Sequence, residues 1–442
     1  MIEQHGSLTE KFIKKGFWLY LFTYIVSPMG YIVKIIISTD LTVSEVGLIY
    51  GIISLIVLVS AYHDLGITES INYFIPKFVT ENRYDKVKTL IFYGFIIQIF
   101  TGVILASFFY FGSNYLAINY FESKEAIEIL KIFAFFFLIV NFLQIITTFF
   151  LAIQNTFYAK IVELFRMSFT LITTILIFIL NYGDIITYSY AWLFGVVIGT
   201  IYAIVKFYKS YYKKYLKGVK FNFEIDIVKE VFKYSLLVFL SAQAGTILGQ
   251  IDMQMVIYYL GTESAGYYTN YLSIINIPFM LIGPMFGLLL PVISELNGKN
   301  ENNKILAVKT IFVKQFINIA IFSNILFFVF AEIIAFILFG EKFIMSGTIL
   351  KYSILFLVFN YLLHINFQIL SGIGKVKYKL YIMLFAIVSN IIMNYIFINK
   401  IGVAGASLAT GIGWIIIWIL SEYYLGKKFL IKYSVISHMK NL

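Results

Sequence analysis

The chain contains no cysteine. That absence removes disulfides, thiolate metal sites and cysteine nucleophiles. Charge is scarce as well, at 13% of residues, and arginine occurs only at Arg83 and Arg166. The four histidines, His5, His63, His364 and His438, lack metalloprotease spacing, and no GxxxxGK[ST] phosphate loop is present. Neither a zinc hydrolase nor a nucleotide-hydrolysing motif is carried here. No catalytic residue, metal site or cofactor is expected, and energy for any pumping comes from elsewhere, an H+ or Na+ gradient being the candidate.

What fills the sequence is apolar. Hydrophobic residues make up 60% and mean hydropathy is +0.88, too high for a water-facing globule. The apolar runs last about 20 residues, the length of a membrane-crossing helix, whereas barrel strands would alternate over short segments. An all-α polytopic membrane protein of about twelve spans is expected, near 17–38, 44–62, 90–111, 128–150, 161–181, 186–206, 234–259, 266–291, 311–338, 349–371, 379–398 and 403–424.

Basic residues orient it. With the amino terminus (Lys11, Lys14, Lys15) in the cytoplasm, Lys77–Lys88, Lys160, Arg166, Lys206–Lys233, Lys299–Lys314, Lys375–Lys379 and the tail from Lys427 all fall on that side, as the positive-inside rule asks. The net charge of +11 follows from topology, so no nucleic-acid partner is inferred. The first apolar run has no small-residue cleavage site and is expected to remain as a signal anchor. Outer loops such as 38–42, 181–187 and 261–264 are short, which argues against a membrane glycosyltransferase or glycan ligase.

An internal echo divides the chain. Glu45-Val46-Gly47 aligns with Ser264-Ala265-Gly266, Asn141 with Asn360 and Gly183 with Gly402, each pair about 219 positions apart. Two pseudo-symmetric six-helix lobes around a central cavity are expected, an arrangement typical of transporters. The organisation is then a cytoplasmic interfacial segment 1–16, an N-lobe 17–206, a basic linker 207–233 suited to anionic lipid, a C-lobe 234–424 and a basic cytoplasmic tail 425–442.

Local motifs carry a resemblance. They are Asp64-Leu-Gly-Ile-Thr-Glu-Ser-Ile-Asn-Tyr-Phe-Ile-Pro76, Ile251-Asp252, Leu260-Gly-Thr-Glu-Ser-Ala-Gly-Tyr267, Leu290-Pro-Val-Ile-Ser-Glu295, Leu338-Phe-Gly-Glu-Lys342, Ser371-Gly-Ile-Gly-Lys375 and Ile401-Gly-Val-Ala-Gly-Ala-Ser-Leu-Ala-Thr410. In order and spacing the set resembles the polysaccharide transporter branch of the multidrug, oligosaccharidyl-lipid and polysaccharide (MOP) exporter superfamily, which includes the O-antigen flippases. The resemblance implies movement of a polyprenyl-diphosphate-linked oligosaccharide from the cytoplasmic to the outer leaflet of the inner (cytoplasmic) membrane. Membrane lipids, a glycan polymerase and glycosyltransferases are the implied partners. Where that family often has Asp-Arg in span seven, this chain has Asp252-Met253. Rival readings are a drug/cation antiporter and a lipid II-type flippase.

A dianionic headgroup and a wet glycan require inward cations and hydrogen-bonding side chains, and a charge inside a membrane helix normally faces a cavity or a partner. Lys34 in span one either lines the cavity or snorkels outward. Arg166 either pairs with Glu163 or grips phosphate. Lys314, one turn inside span nine, could capture a headgroup or snorkel. Asn141 and Gln144 in span four and Asn360, His364 and Gln368 in span ten form polar stripes that bond neighbouring helices or line water. Asp252 is the candidate for ion coupling, with pairing to a lysine as the alternative. Pro278 and Pro284 mark span eight as a candidate hinge.

Overall fold

The computed structural model describes residues 8–222 and 225–428. Its helices are α1 (Leu8–Asp40), α2 (Val43–Val59), α3 (Ile67–Thr80), α4 (Tyr84–Phe111), α5 (Ser113–Asn119), α6 (Ala126–Ala152), α7 (Thr156–Ile179), α8 (Ile185–Phe207), α9 (Ile225–Gly298), α10 (Asn302–Val329), α11 (Ala331–Phe339), α12 (Ile344–Lys351), α13 (Leu357–Gly372), α14 (Val376–Ile401) and α15 (Val403–Lys428). The described residues contain no strand. Nine described helices are long and apolar enough to cross a membrane, ten when the bent pair within α9 is taken as one span. The shortfall from twelve has two sources. The 17 residues of α2 end at a break, and α9 carries two expected spans in one run, interrupted at Gly261 and bent by 55° between Gln243–Met280 and Met285–Gly298.

Helix starts are fixed locally. At α2 the Thr42 hydroxyl accepts from the Glu45 N–H and the Glu45 carboxylate accepts from the Thr42 N–H at 2.7 Å, a capping box that satisfies otherwise orphaned donors. Asp184 caps α8 by accepting from the Ile186 and Thr187 amides.

The repeat holds element by element. Displaced by the same offset of about 219 residues, α4 falls on α10, α5 on α11, α6 on α12 with α13, α7 on α14 and α8 on α15. The interruption between α2 and α3 falls on the bend of α9 between Met280 and Met285. Each half therefore contains one broken helix at an equivalent place.

The chain forms two compact units, residues 1–243 with 261–266, and residues 244–260 with 267–442. Within the first, α3, α4, α6, α7 and α8 bury Ile71, Phe74, Leu90, Ile146, Phe150 and Val196 in one apolar core. The stretch after α8 belongs to it too. Its π-helical segment Tyr208–Leu216 buries Leu216, places Tyr211 against Phe149, and receives a hydrogen bond from Asn155 Nδ2 to the Tyr211 hydroxyl at 2.7 Å. Lys88 Nζ donates to the Val219 carbonyl and Asn222 Nδ2 to Asp85. Tyr211 and Tyr212 of this basic segment thus pack on protein, while Tyr208, Tyr215, Lys209, Lys213 and Lys214 remain exposed.

The echoed segments meet inside this unit. A side chain at Gly47 would collide with the Thr262 carbonyl and one at Gly266 with the Val43 carbonyl, while Ser44 and Thr262 share a hydroxyl hydrogen bond of 2.7 Å. Glycine is required at both positions because each lies against the other's neighbouring backbone.

Candidate functional site

In the first unit, α6 and α7 enclose a cavity of about 300 Å³ lined by Gln144, Thr147, Lys160, Glu163 and Arg166 among apolar residues. Its cation is set by a close backbone approach. An added side-chain atom at Gly195 of α8 would run into the Thr170 hydroxyl and the Arg166 carbonyl of α7, and one at Gly199 would press on the Arg166 side chain, so these two glycines let α8 lie close against α7 beside Arg166. Glu163, the partner expected for Arg166, instead binds Lys160 at 2.9 Å. Among the described residues Arg166 makes no ion pair within 4 Å, although the Glu163 carboxylate is near enough to act on its charge. Gln144 Nε2 donates to the Thr68 hydroxyl of α3 at 3.3 Å.

The structure brings Gln144 and Arg166 together but places the other first-unit candidates elsewhere. Lys34 is buried, with its ammonium 4.4 Å from the centroid of the Tyr50 ring. Asn141 is buried on α6 against Gly102 of α4, and its amide nitrogen lacks a hydrogen-bond partner among the described residues.

The second unit holds a different constellation. Asp252 is buried, and one carboxylate oxygen accepts from Asn394 Nδ2 while the other accepts from the Thr410 and Tyr268 hydroxyls. Asn394 also donates to Asn390 at 3.0 Å, and its own side-chain oxygen is buried without a hydrogen-bond partner among the described residues. Among the described residues no lysine or arginine pairs with Asp252, so the cross-bundle lysine pairing considered from the sequence is not formed. Asn390 and Asn394 are spaced i, i+4 in an apolar helix, a sequence signal of inward-facing polar groups that the earlier candidates omit.

Other candidates take structural surroundings. His364 sits 4.8 Å from Phe279 and 5.6 Å from Phe286, ring centroid to centroid, in a cluster that includes Phe316 and Tyr361. Asn360 and Gln368 occupy the same helix, α13, partly exposed. Lys314 is exposed on α10, and the buried lysine of that helix is Lys309, paired with Glu422 of α15. Lys351 pairs with Glu332 at 2.6 Å outside the spans, and this cation holds the Glu332 carboxyl below its ordinary range. Pro278 lies just before the 55° bend of α9 and Pro284 within it.

Comparison with known proteins identifies the scaffold. Residues 12–297 match the family described as polysaccharide biosynthesis protein. An uncharacterized membrane protein of Methanocaldococcus jannaschii is 28% identical over 442 residues, covering 95% of this chain and 85% of the relative. A probable low-salt glycan biosynthesis flippase of Haloferax volcanii is 24% identical over 55% of this chain and 50% of its own length. Among solved structures, an inward-facing multidrug resistance MATE family transporter of the MOP superfamily superposes with a TM-score of 0.77 at 17% identity, covering 91% of this chain and 94% of the other. A MOP superfamily transporter from Pyrococcus furiosus, titled for the reverse polarity of its binding pocket, gives 0.69 at 16% identity over 96% of both chains. The chain belongs to the polysaccharide biosynthesis protein family and carries the fold of the MOP superfamily transporters.

Proposed function

We propose that the protein is a flippase carrying a polyprenyl-diphosphate-linked oligosaccharide from the cytoplasmic to the outer leaflet of the cytoplasmic membrane by alternating access, both termini being cytoplasmic. The observation that carries this reading is Arg166, a cation without an ion pair among the described residues, in a cavity with amide and hydroxyl groups beside it. Such a site suits a phosphate at one end and sugar hydroxyls at the other. The protein makes and breaks no covalent bond in this reading and needs no cofactor. Glycosyltransferases would supply its substrate and a polymerase or transferase would consume it.

Asp252 is the proposed coupling site. A buried carboxylate ringed by neutral oxygen- and nitrogen-bearing side chains can take up a proton or exchange its donors for a small cation such as Na+, and the unpartnered Asn394 oxygen is one further ligand for such an ion. Asp252→Asn keeps the shape and removes the charge. It is expected to abolish the dependence of transport on the ion gradient while leaving protein abundance unchanged.

The test of the substrate is a deletion strain of the native host. Lipid extracts are expected to accumulate complete lipid-linked oligosaccharide accessible only from the cytoplasmic face, with surface glycan lost. Normal surface glycan with no accumulation would overturn the reading and favour small-solute or drug efflux.

A further inference from the structure

The break between α2 and α3 is built from titratable and amide side chains, and the transport reading uses none of its histidine chemistry. The helix stops at Val59, turns through Ser60–Tyr62, and restarts at Ile67 after two left-handed residues, Leu65 and Gly66, at φ 49° and 80°. His63 lies in this turn. Its Nδ1 is 2.6 Å from the Ser60 carbonyl oxygen, and its Nε2 is 2.9 Å from Oε1 of Gln98 on α4. Phe137 of α6 covers the ring edge-on at 5.2 Å between centroids.

A backbone carbonyl can only accept, so Nδ1 carries a hydrogen whatever the charge of the ring. The second nitrogen then decides the state. With Gln98 as placed, Nε2 also faces an acceptor, and the contact is a hydrogen bond only when the imidazole is cationic. A neutral ring has a lone pair there and requires the Gln98 amide to rotate and present its NH2. Gln98 is fully buried, and in the observed orientation its Nε2 has no partner among the described residues. In the observed orientation the amide is therefore satisfied on one side only.

Two acidic residues belong to the same stretch of chain. Asp64, next in the chain, is buried and accepts from the Gly66 N–H at 2.9 Å. Glu69, in the first turn of α3, has a buried carboxylate oxygen without a hydrogen-bond partner among the described residues. The other charged residues of the packed elements stand toward helix ends: Glu45 on α2, Lys77 on α3, Asp85, Lys86 and Lys88 on α4, and Glu128 and Lys131 on α6. Thr68, adjacent to Glu69, receives the hydrogen bond from Gln144, and Gln144 lines the Arg166 cavity. A change at the break is thus one side chain away from that cavity.

We propose that the α2–α3 break is a proton-binding site, in which uptake of a proton on His63 Nε2 is coupled to reorientation of the Gln98 amide. The proton adds to the Nε2 lone pair, the imidazolium donates to Ser60 and to Gln98, and loss of the proton reverses the amide. The site stands on its own geometry and holds whatever the transported molecule is.

The experiment is nitrogen-15 histidine NMR of the full chain in proteoliposomes between pH 5 and 9, where only four histidines contribute and the His63→Gln variant assigns the signal. The expected result is a His63 resonance that changes from doubly protonated to the Nδ1–H neutral form across that range. Gln98→Glu, which places a carboxylate against Nε2, should hold it doubly protonated throughout. Should His63→Gln fail to fold, the Gln98→Glu spectrum alone carries the assignment. A His63 signal that stays neutral over the whole range, unmoved by Gln98→Glu, would overturn the proposal and leave a structural histidine. Failure of lipid-linked glycan to accumulate in a deletion strain would leave this result untouched.

Discussion

The two units share one architecture and carry opposite chemistry. Around Asp252 the second unit gathers Tyr268, Asn390, Asn394 and Thr410. At the equivalent positions the first unit has Val33, Ile49, Leu171, Ile175 and Ala191. Conversely, Arg166, Gln144 and His63 in the first unit correspond to Phe385, Leu363 and Ile282 in the second. The broken helix repeats the contrast, with His63, Asp64 and Glu69 at one break and Gly283 and Pro284 at the other. Burying a charge in a membrane is costly, so a duplicated scaffold keeps a polar cluster only where one is used. On the proposed reading the comparison separates two tasks, with the phosphate of the substrate assigned to Arg166 in the first unit and ion coupling to Asp252 in the second.

Buried cations sharpen the contrast first. Lys309 is neutralised by Glu422 in the second unit, whereas Arg166 has no ion pair among the described residues. Lys309→Met should strand the partly buried Glu422 carboxylate and cost at most about 3–5 kcal/mol of stability, measured by thermal unfolding in detergent. Adding Glu422→Leu should recover most of it. Arg166→Met should leave the unfolding midpoint nearly unchanged; an equal loss of stability in both variants would erase the distinction.

The next effect is functional. Arg166→Ala removes charge-assisted hydrogen bonds of about 1.5–3 kcal/mol, so glycan export should fall about tenfold to a hundredfold at matched abundance. Phe385→Ala, its counterpart, should export normally. Comparable losses from both would mean that packing and not charge is being read.

A smaller effect belongs to the echoed glycines. Gly47→Ala and Gly266→Ala each force a methyl group into facing backbone and should destabilise the first unit by about 1–3 kcal/mol. Because the contact is reciprocal, the double variant should cost less than the sum. Strict additivity in unfolding measurements would show that the two positions act separately.

The smallest effect lies outside the spans. Lys351 holds the Glu332 carboxyl below its ordinary range, so the pair contributes stability above that range and loses it as pH falls through the lowered value. Both side chains are more than a third exposed, which limits the contribution to at most about 1 kcal/mol. Lys351→Ala should narrow the acid side of the stability profile slightly and leave transport intact.

Much of this was legible in the residues. Span length and the repeat follow from hydropathy, which the bilayer enforces strongly. Gln144 and Arg166 were recognisable as polar groups in apolar helices. Their convergence was not, because it depends on how α6 and α7 pack around the cavity, and such contacts leave no periodic signal. The pairing of Arg166 with Glu163 was expected from spacing, but Lys160 lies on the same face and takes the carboxylate. Asp252 stood out alone, while two of its three donors, Asn394 and Thr410, come from helices far along the chain. Lys309 and Lys314 look alike in sequence; only the facing Glu422 makes one of them internal.

The division of tasks is tested most directly in proteoliposomes that flip a purified polyprenyl-diphosphate oligosaccharide, with transport measured against substrate concentration and against H+ or Na+ gradients for the wild type, Arg166→Ala and Asp252→Asn. The account predicts that Arg166→Ala weakens the response to substrate and keeps the response to the ion, and that Asp252→Asn does the reverse. Two variants that alter both responses alike would contradict it.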